Sequence, residues 1–188
     1  MEALLNVFSA FGLSSAAGLN AYLPLLVVAL VGRFTTLIQL TEPWDVLTSW
    51  WAIGVLVVLL VIEMTVDKIP AADTVNDIVN TVIRPLAGAV LFAANSGVIG
   101  EMHPVVALIV GLLVAGGVHA VKATARPVVT ATTAGTGNWA VSTVEDMISL
   151  VTSILSILMP VLVVVLVVLV IVFVGWRISR RRAGTASG

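Results

Sequence analysis

Residues 63–84 read EMTVDKIPAADTVNDIVNTVIR. Here a chain made mostly of Val, Leu and Ala acquires four carboxylates (Glu63, Asp67, Asp73, Asp77), Lys68 and Arg84. Ile69-Pro70 ends or bends the preceding helix, because a residue before proline avoids the helical region. From Asp73 onward a 3.6-residue period puts Asp73, Asn76, Asp77, Asn80, Thr81 and Arg84 on one face. Val75, Ile78, Val79, Val82, Ile83 and Leu86 fall on the other. The expected element is an amphipathic helix over 73–86 that continues through residues 87–94. It either crosses a bilayer or lies flat at its surface. Surface-lying helices carry Lys and Arg on the polar face. This face carries two Asp and two Asn beside one Arg, which favours a face turned into a protein interior.

The rest of the chain sets the solvent. Of 188 residues, 60% are hydrophobic and 10% charged, and the mean hydropathy is +1.16. A soluble domain has roughly 25% charged residues, so this composition cannot cover a surface in water. The expected fold is an all-α polytopic transmembrane helix bundle with about five apolar segments, some broken by proline. One transmembrane domain is expected over residues 1–176. The basic stretch 177–188 is expected to be a disordered cytoplasmic tail. The formal net charge of −1 gives no reason to expect nucleic acid. The absence of cysteine excludes disulfides, thiolate metal sites and cysteine nucleophiles. The first ten residues lack the basic n-region of a secretory signal and read as retained protein.

Leu4 to Val31 is the first apolar segment, interrupted by Ser14, Ser15, Gly18, Asn20 and Pro24. Proline removes a donor and clashes one turn back, near Asn20. Either a broken helix lining a cavity or a simple kink would accommodate it. Trp44, Trp50 and Trp51 mark an interface. The second span runs from Trp50 to about Val66, with Glu63 in its last turns. A third apolar stretch covers Val105 to Val121. His119, Lys122 and Arg126 then share one face at i, i+3 and i+7, and Pro127 is expected to stop that helix. Residues 128–138, rich in Thr and Gly, read as a connector or re-entrant loop.

Asn138, Ser142, Glu145, Ser149, Thr152, Ser153 and Ser156 form a second polar stripe at helical spacing. Ser142 or Thr143 is expected to cap that helix, with Glu145 and Asp146 in its first turn. Pro160 divides it from VLVVVLVVLVIVFVGW. That run spans roughly 24 Å at 1.5 Å per residue, a little short of the hydrocarbon core, so the last span should borrow residues before Pro160. Trp176 and the arginines after it place the C-terminus in the cytoplasm by the positive-inside rule. The two halves share a layout in which an apolar span ends in charges, meets a proline and precedes a polar-striped helix. That layout makes them a candidate internal repeat of the kind that frames transport sites.

Charge inside a span costs about 2.5–3.5 kcal/mol per residue on insertion scales. The candidate ion or solute pathway is therefore Asn20, Glu63, Asp67, Lys68, Asp73, Asp77, Arg84, His119, Lys122, Arg126, Asn138, Glu145 and Asp146. Individually, each could equally sit at a span end and pair with water. Glu63, Asp67, Asp73 and Asp77 offer hard oxygen ligands should a metal be held. With two histidines and no cysteine, zinc and haem are not expected, and no cofactor is. His103 reads as a surface residue. No GxSxG, HExxH, Walker A or SxxK motif is present, so an enzyme is not expected.

SSAAGLNAYLPLL, DKIPAADTVND and HAVKATARP with the 138–146 segment resemble a family of small bacterial integral membrane proteins without an assigned function. The resemblance runs from about residue 10 to 160 and leaves out the Arg-rich tail. It implies a multi-pass protein of the inner membrane and implies no reaction. Its expected partners are the lipid bilayer and a small ion or anionic solute, with room for a homo-oligomer. The first functional expectation is thus a small transporter or channel-like protein. The alternatives are a non-transporting scaffold and a lipid-handling protein.

Overall fold

The structure is a computed structural model. It describes residues 2–66, 70–95, 102–133, 136–160, 162, 165–166, 168–173 and 176, with residues 2 and 70–77 described in backbone only. The described residues form helices α1 (Glu2–Leu19), α2 (Tyr22–Phe34), α3 (Trp50–Val66), α4 (Pro70–Ala94), α5 (Pro104–Thr133) and α6 (Asn138–Leu158), with a 3-10 turn at Trp44–Thr48. The described residues from Pro160 to Trp176 are helical as well. No strand occurs among them.

Helix α1 is central. It packs on α4, α5 and α6, while α4 and α5 share the most extensive contact and α3 leans mainly on α2. Small residues allow this closeness. Ala10, Ala17, Ala87, Ala107 and Ala115 are buried where these helices meet. A Cβ on Gly18 would come 2.6 Å from the Ala115 carbonyl, and one on Gly88 would come 2.9 Å from the Gly111 carbonyl. The backbones themselves are therefore in contact. Ser14 Oγ adds a tie, donating to the Gly88 carbonyl at 2.8 Å.

The helices are amphipathic in the inverted sense. On α4, Asn80 and Arg84 are buried while Ile78, Val79, Val82 and Leu86 are exposed. On α6, Asn138, Ser142, Asp146, Ser149, Ser153 and Ser156 face inward, and Val144, Met147, Ile148 and Val151 face outward. On α5 the buried stripe is Ala107, Gly111, Ala115, His119, Lys122 and Arg126. A helix in water buries its apolar stripe. Helices α5 and α6 are both long and apolar enough to cross a membrane, and α1, α2, α3 and the second part of α4 are shorter apolar helices.

Of the two readings of the first segment, the broken helix is the one observed, with two helices parted at Asn20 and Ala21. The break falls at Asn20 because its side chain caps α2: Oδ1 accepts the amides of Tyr22 (3.1 Å) and Leu23 (2.9 Å). Pro127 does not stop α5, which runs six residues further. Beyond it, Thr130 and Thr133 donate to the carbonyls of Arg126 and Val129, and Thr132 does so to Val128. These hydroxyls bond carbonyls one turn back, and residues 128–133 of the expected connector are helix, whereas residues 136 and 137 form a turn. The layout read as a repeat is met only in part: α5 passes through Pro127, while residues 67–69, ahead of Pro70, lie outside the described residues. Ser142 and Thr143 lie inside α6, not at its cap; Thr143 donates to the Trp139 carbonyl. The final run does not continue α6, because the chain breaks at Met159, with φ −142° and ψ 64°.

Candidate functional site

The break between α1 and α2 exposes two helix ends inside the bundle. The C-terminal end of α1 has no basic residue in its own last turn, and its final carbonyls carry the negative end of the helix dipole. Lys122 of α5 supplies the missing cation. Its ammonium donates to the Leu19 carbonyl at 3.1 Å and lies 2.8 Å from Glu145 Oε2 of α6, with the lysine side chain 2% exposed. Ser149 Oγ donates to the Ala16 carbonyl at 3.0 Å. At the other end, the N-terminus of α2, the capping Asn20 donates through Nδ2 to Asp146 Oδ1 at 2.9 Å. A cation thus meets the negative end and a carboxylate stands behind the positive end.

A second group joins α3, α4 and α5. Arg84, fully buried, donates through Nη2 to Glu63 Oε1 at 3.0 Å. Asn80 Nδ2 donates to the same oxygen at 3.2 Å. Arg84 Nη1 lies 3.1 Å from His119 Nδ1. A guanidinium can only donate, so Nδ1 is the acceptor and His119 carries its proton on Nε2. That proton is donated to Thr81 Oγ1, 3.2 Å away. His119 thus bridges Arg84 of α4 and Thr81 one turn before it.

The basic face of α5 connects the two groups. His119 belongs to one and Lys122 to the other, and Arg126 is buried one turn further on. Beyond Arg126, Thr130 Oγ1 lies 3.0 Å from Asn138 Oδ1, its one proton shared between that oxygen and the Arg126 carbonyl. Among the residues whose side chains are described, this polar seam holds the carboxylates Glu63, Glu145 and Asp146 and the cations Arg84, Lys122 and Arg126. Asn20, Glu63, Arg84, His119, Lys122, Arg126, Asn138, Glu145 and Asp146, nine residues singled out in the sequence, are gathered here.

Asp67 and Lys68 lie outside the described residues, and Asp73 and Asp77 are described in backbone only, on the first turns of α4. Of the carboxylates considered as metal ligands, Glu63 is engaged by Arg84 and Asn80. No three His, Cys, Asp or Glu side chains among the described residues are grouped closely enough to hold a metal ion. His103 is exposed at the start of α5, where Nδ1 accepts the Val105 amide and its carbonyl accepts those of Val106 and Ala107; it caps the helix.

Sequence reasoning missed the Leu19 carbonyl, Thr130 and the buried role of Ser149. No side-chain pattern signals a backbone carbonyl. Thr130 was detectable, standing one helical turn after Arg126. Two described cavities lie outside the seam and are apolar. One, of about 560 Å³, is bounded by Phe8, Phe11, Val114, Val118 and Ile171. The other, of about 340 Å³, is bounded by Val144, Met147, Val151 and Leu166.

No curated protein and no solved structure matches the chain. A family profile described as a domain of unknown function, DUF4126, matches residues 7–180. That match extends past residue 160 and takes in the first arginines after Trp176, which the sequence resemblance left out. With nearly its whole length inside that profile, the chain belongs to the DUF4126 family.

Proposed function

We propose that the protein is a multi-pass protein of the bacterial inner membrane, its C-terminus cytoplasmic, that moves a small charged solute across the bilayer along the buried polar seam. The carrying observation is the broken first segment. Both ends of the break are joined to charged side chains of other helices, Lys122 at Leu19 and Asp146 at Asn20. Discontinuous helices whose ends meet charges near mid-membrane are how many secondary transporters hold ions and substrates. The inverted amphipathicity supports the lipid setting, since exposed Val, Ile and Leu are stable against acyl chains and the buried polar groups satisfy one another.

Reconstitution into liposomes tests the reading, with influx of a panel of cations and small anions followed by isotope. At least one solute should enter faster than in protein-free vesicles. Asn20→Ala and Asp146→Asn should each lower that influx about tenfold or more, while the protein still elutes as a single species. Influx equal to that of empty vesicles for every solute, or full influx in both variants, would overturn it.

A second reading has its own support. The described charges pair with one another, and the described cavities are apolar, as a non-transporting scaffold would have them. Stoichiometric co-purification with another membrane protein, with no flux, would favour that alternative.

A further inference from the structure

The position of the Lys122 ammonium is that of a bound cation. It touches the Leu19 carbonyl at the C-terminal end of α1 and a carboxylate oxygen of Glu145. Asp146, bonded to Asn20, is the next residue. One carboxylate and the negative end of α1 thus meet at the ammonium, and a second carboxylate, Asp146, stands on the other side of the break behind the Asn20 that caps the positive end of α2. Without the lysine, Glu145 loses the ammonium that lies against it. Carbonyl oxygens at a helix break combined with carboxylates form a donor set suited to hard monovalent cations, and nothing in it is soft. Lys122 reaches this position from a different helix, so the cation is a tethered side chain and not part of the break itself.

We propose that the α1–α2 break is a monovalent-cation site whose resting occupant is the chain's own Lys122 ammonium, and that the solute of the polar seam is a monovalent cation that displaces it. The second clause rests on the transport reading; the first does not. Displacement is an exchange of one positive charge for another, so Glu145 stays compensated throughout. An anion at this position would face the Glu145 carboxylate.

The test uses the full-length protein in lipid nanodiscs, as wild type and as Lys122→Ala. Thermal unfolding is followed in 100 mM chloride salts of sodium, potassium, ammonium and N-methylglucamine, the last too bulky for the site. Lys122→Ala should melt about 5 °C higher in at least one small cation than in N-methylglucamine, and the wild type, whose own ammonium competes for the site, should respond less. A variant folded in every salt and indifferent to all of them would overturn the site. Lys122→Gln, whose amide can still bond Leu19 and Glu145 without charge, is run in parallel and should show the same dependence. Folding of both variants only in small-cation salts also supports the site, whereas their failure to fold in any salt counts against it. A cation-dependent Lys122→Ala with no wild-type flux would sink the transport reading alone. A cation-independent Lys122→Ala in a protein that does transport would sink the site alone.

Discussion

Arg84 and Glu63 form the most deeply buried ion pair among the described residues, with side chains 0% and 1% exposed. Taking one charge from such a pair leaves the other desolvated, which costs about 3–5 kcal/mol, whereas replacing both often costs little. Arg84→Met should therefore destabilise the protein by that amount, and the double variant Glu63→Gln, Arg84→Met should recover most of the loss. Denaturant melts of the two singles and the double, read as a cycle, check this; a double variant as unstable as the sum of the singles would refute it. At this scale the sequence was informative about type and silent about pairing. Charge inside apolar runs marked Glu63, Arg84, Lys122 and Asp146, because such charge must have a reason. That Asn20 would meet Asp146, 126 residues away, is set by how helices cross, and no periodicity within one helix encodes it.

Among the elements, α3 was the most legible. Its bounds at Trp50 and Val66 follow from an unbroken Val/Leu run between an interfacial tryptophan and Ile69-Pro70. The failures at Pro127 and Ser142 have one cause. Rules drawn from helices in water treat proline as a stop and serine as a cap. In this bundle α5 passes through Pro127, and inward serines face other helices. Glycine carried the opposite lesson. Gly111 and Gly117 look alike in the sequence, yet a Cβ on Gly111 would run into Gly88, Ala89 and Phe92, whereas one on Gly117 would meet open space. Gly111→Ala should cost about 1–3 kcal/mol through forced separation of α4 and α5. Gly117→Ala should be neutral or slightly stabilising through helix propensity. Melting temperatures of the two variants decide; equal losses would mean the close approach is not there.

The whole molecule is a polar seam inside an apolar coat, and that arrangement predicts its solvent. The chain has no cysteine, so single cysteines can report depth without background. Cysteines at outward positions Leu113 of α5 and Ile148 of α6 should resist a membrane-impermeant maleimide in sealed vesicles and label only after SDS unfolding. Cysteine at Glu42, in the loop after α2, should label when its side of the membrane is presented. Rapid labelling at residues 113 and 148 in folded protein would mean that water, not lipid, bathes these faces. The seam also divides the bundle mechanically. Helices α1, α4 and α5 touch backbone to backbone and cannot slide past one another without first separating. The hairpin of α2 and α3 joins the rest of the bundle through Asn20 and Ala21, through the packing of α2 on α6, and through Glu63, which lies near Tyr22 and accepts from Arg84 and Asn80. Loss of Glu63 alone would therefore leave the hairpin seated against its other neighbours.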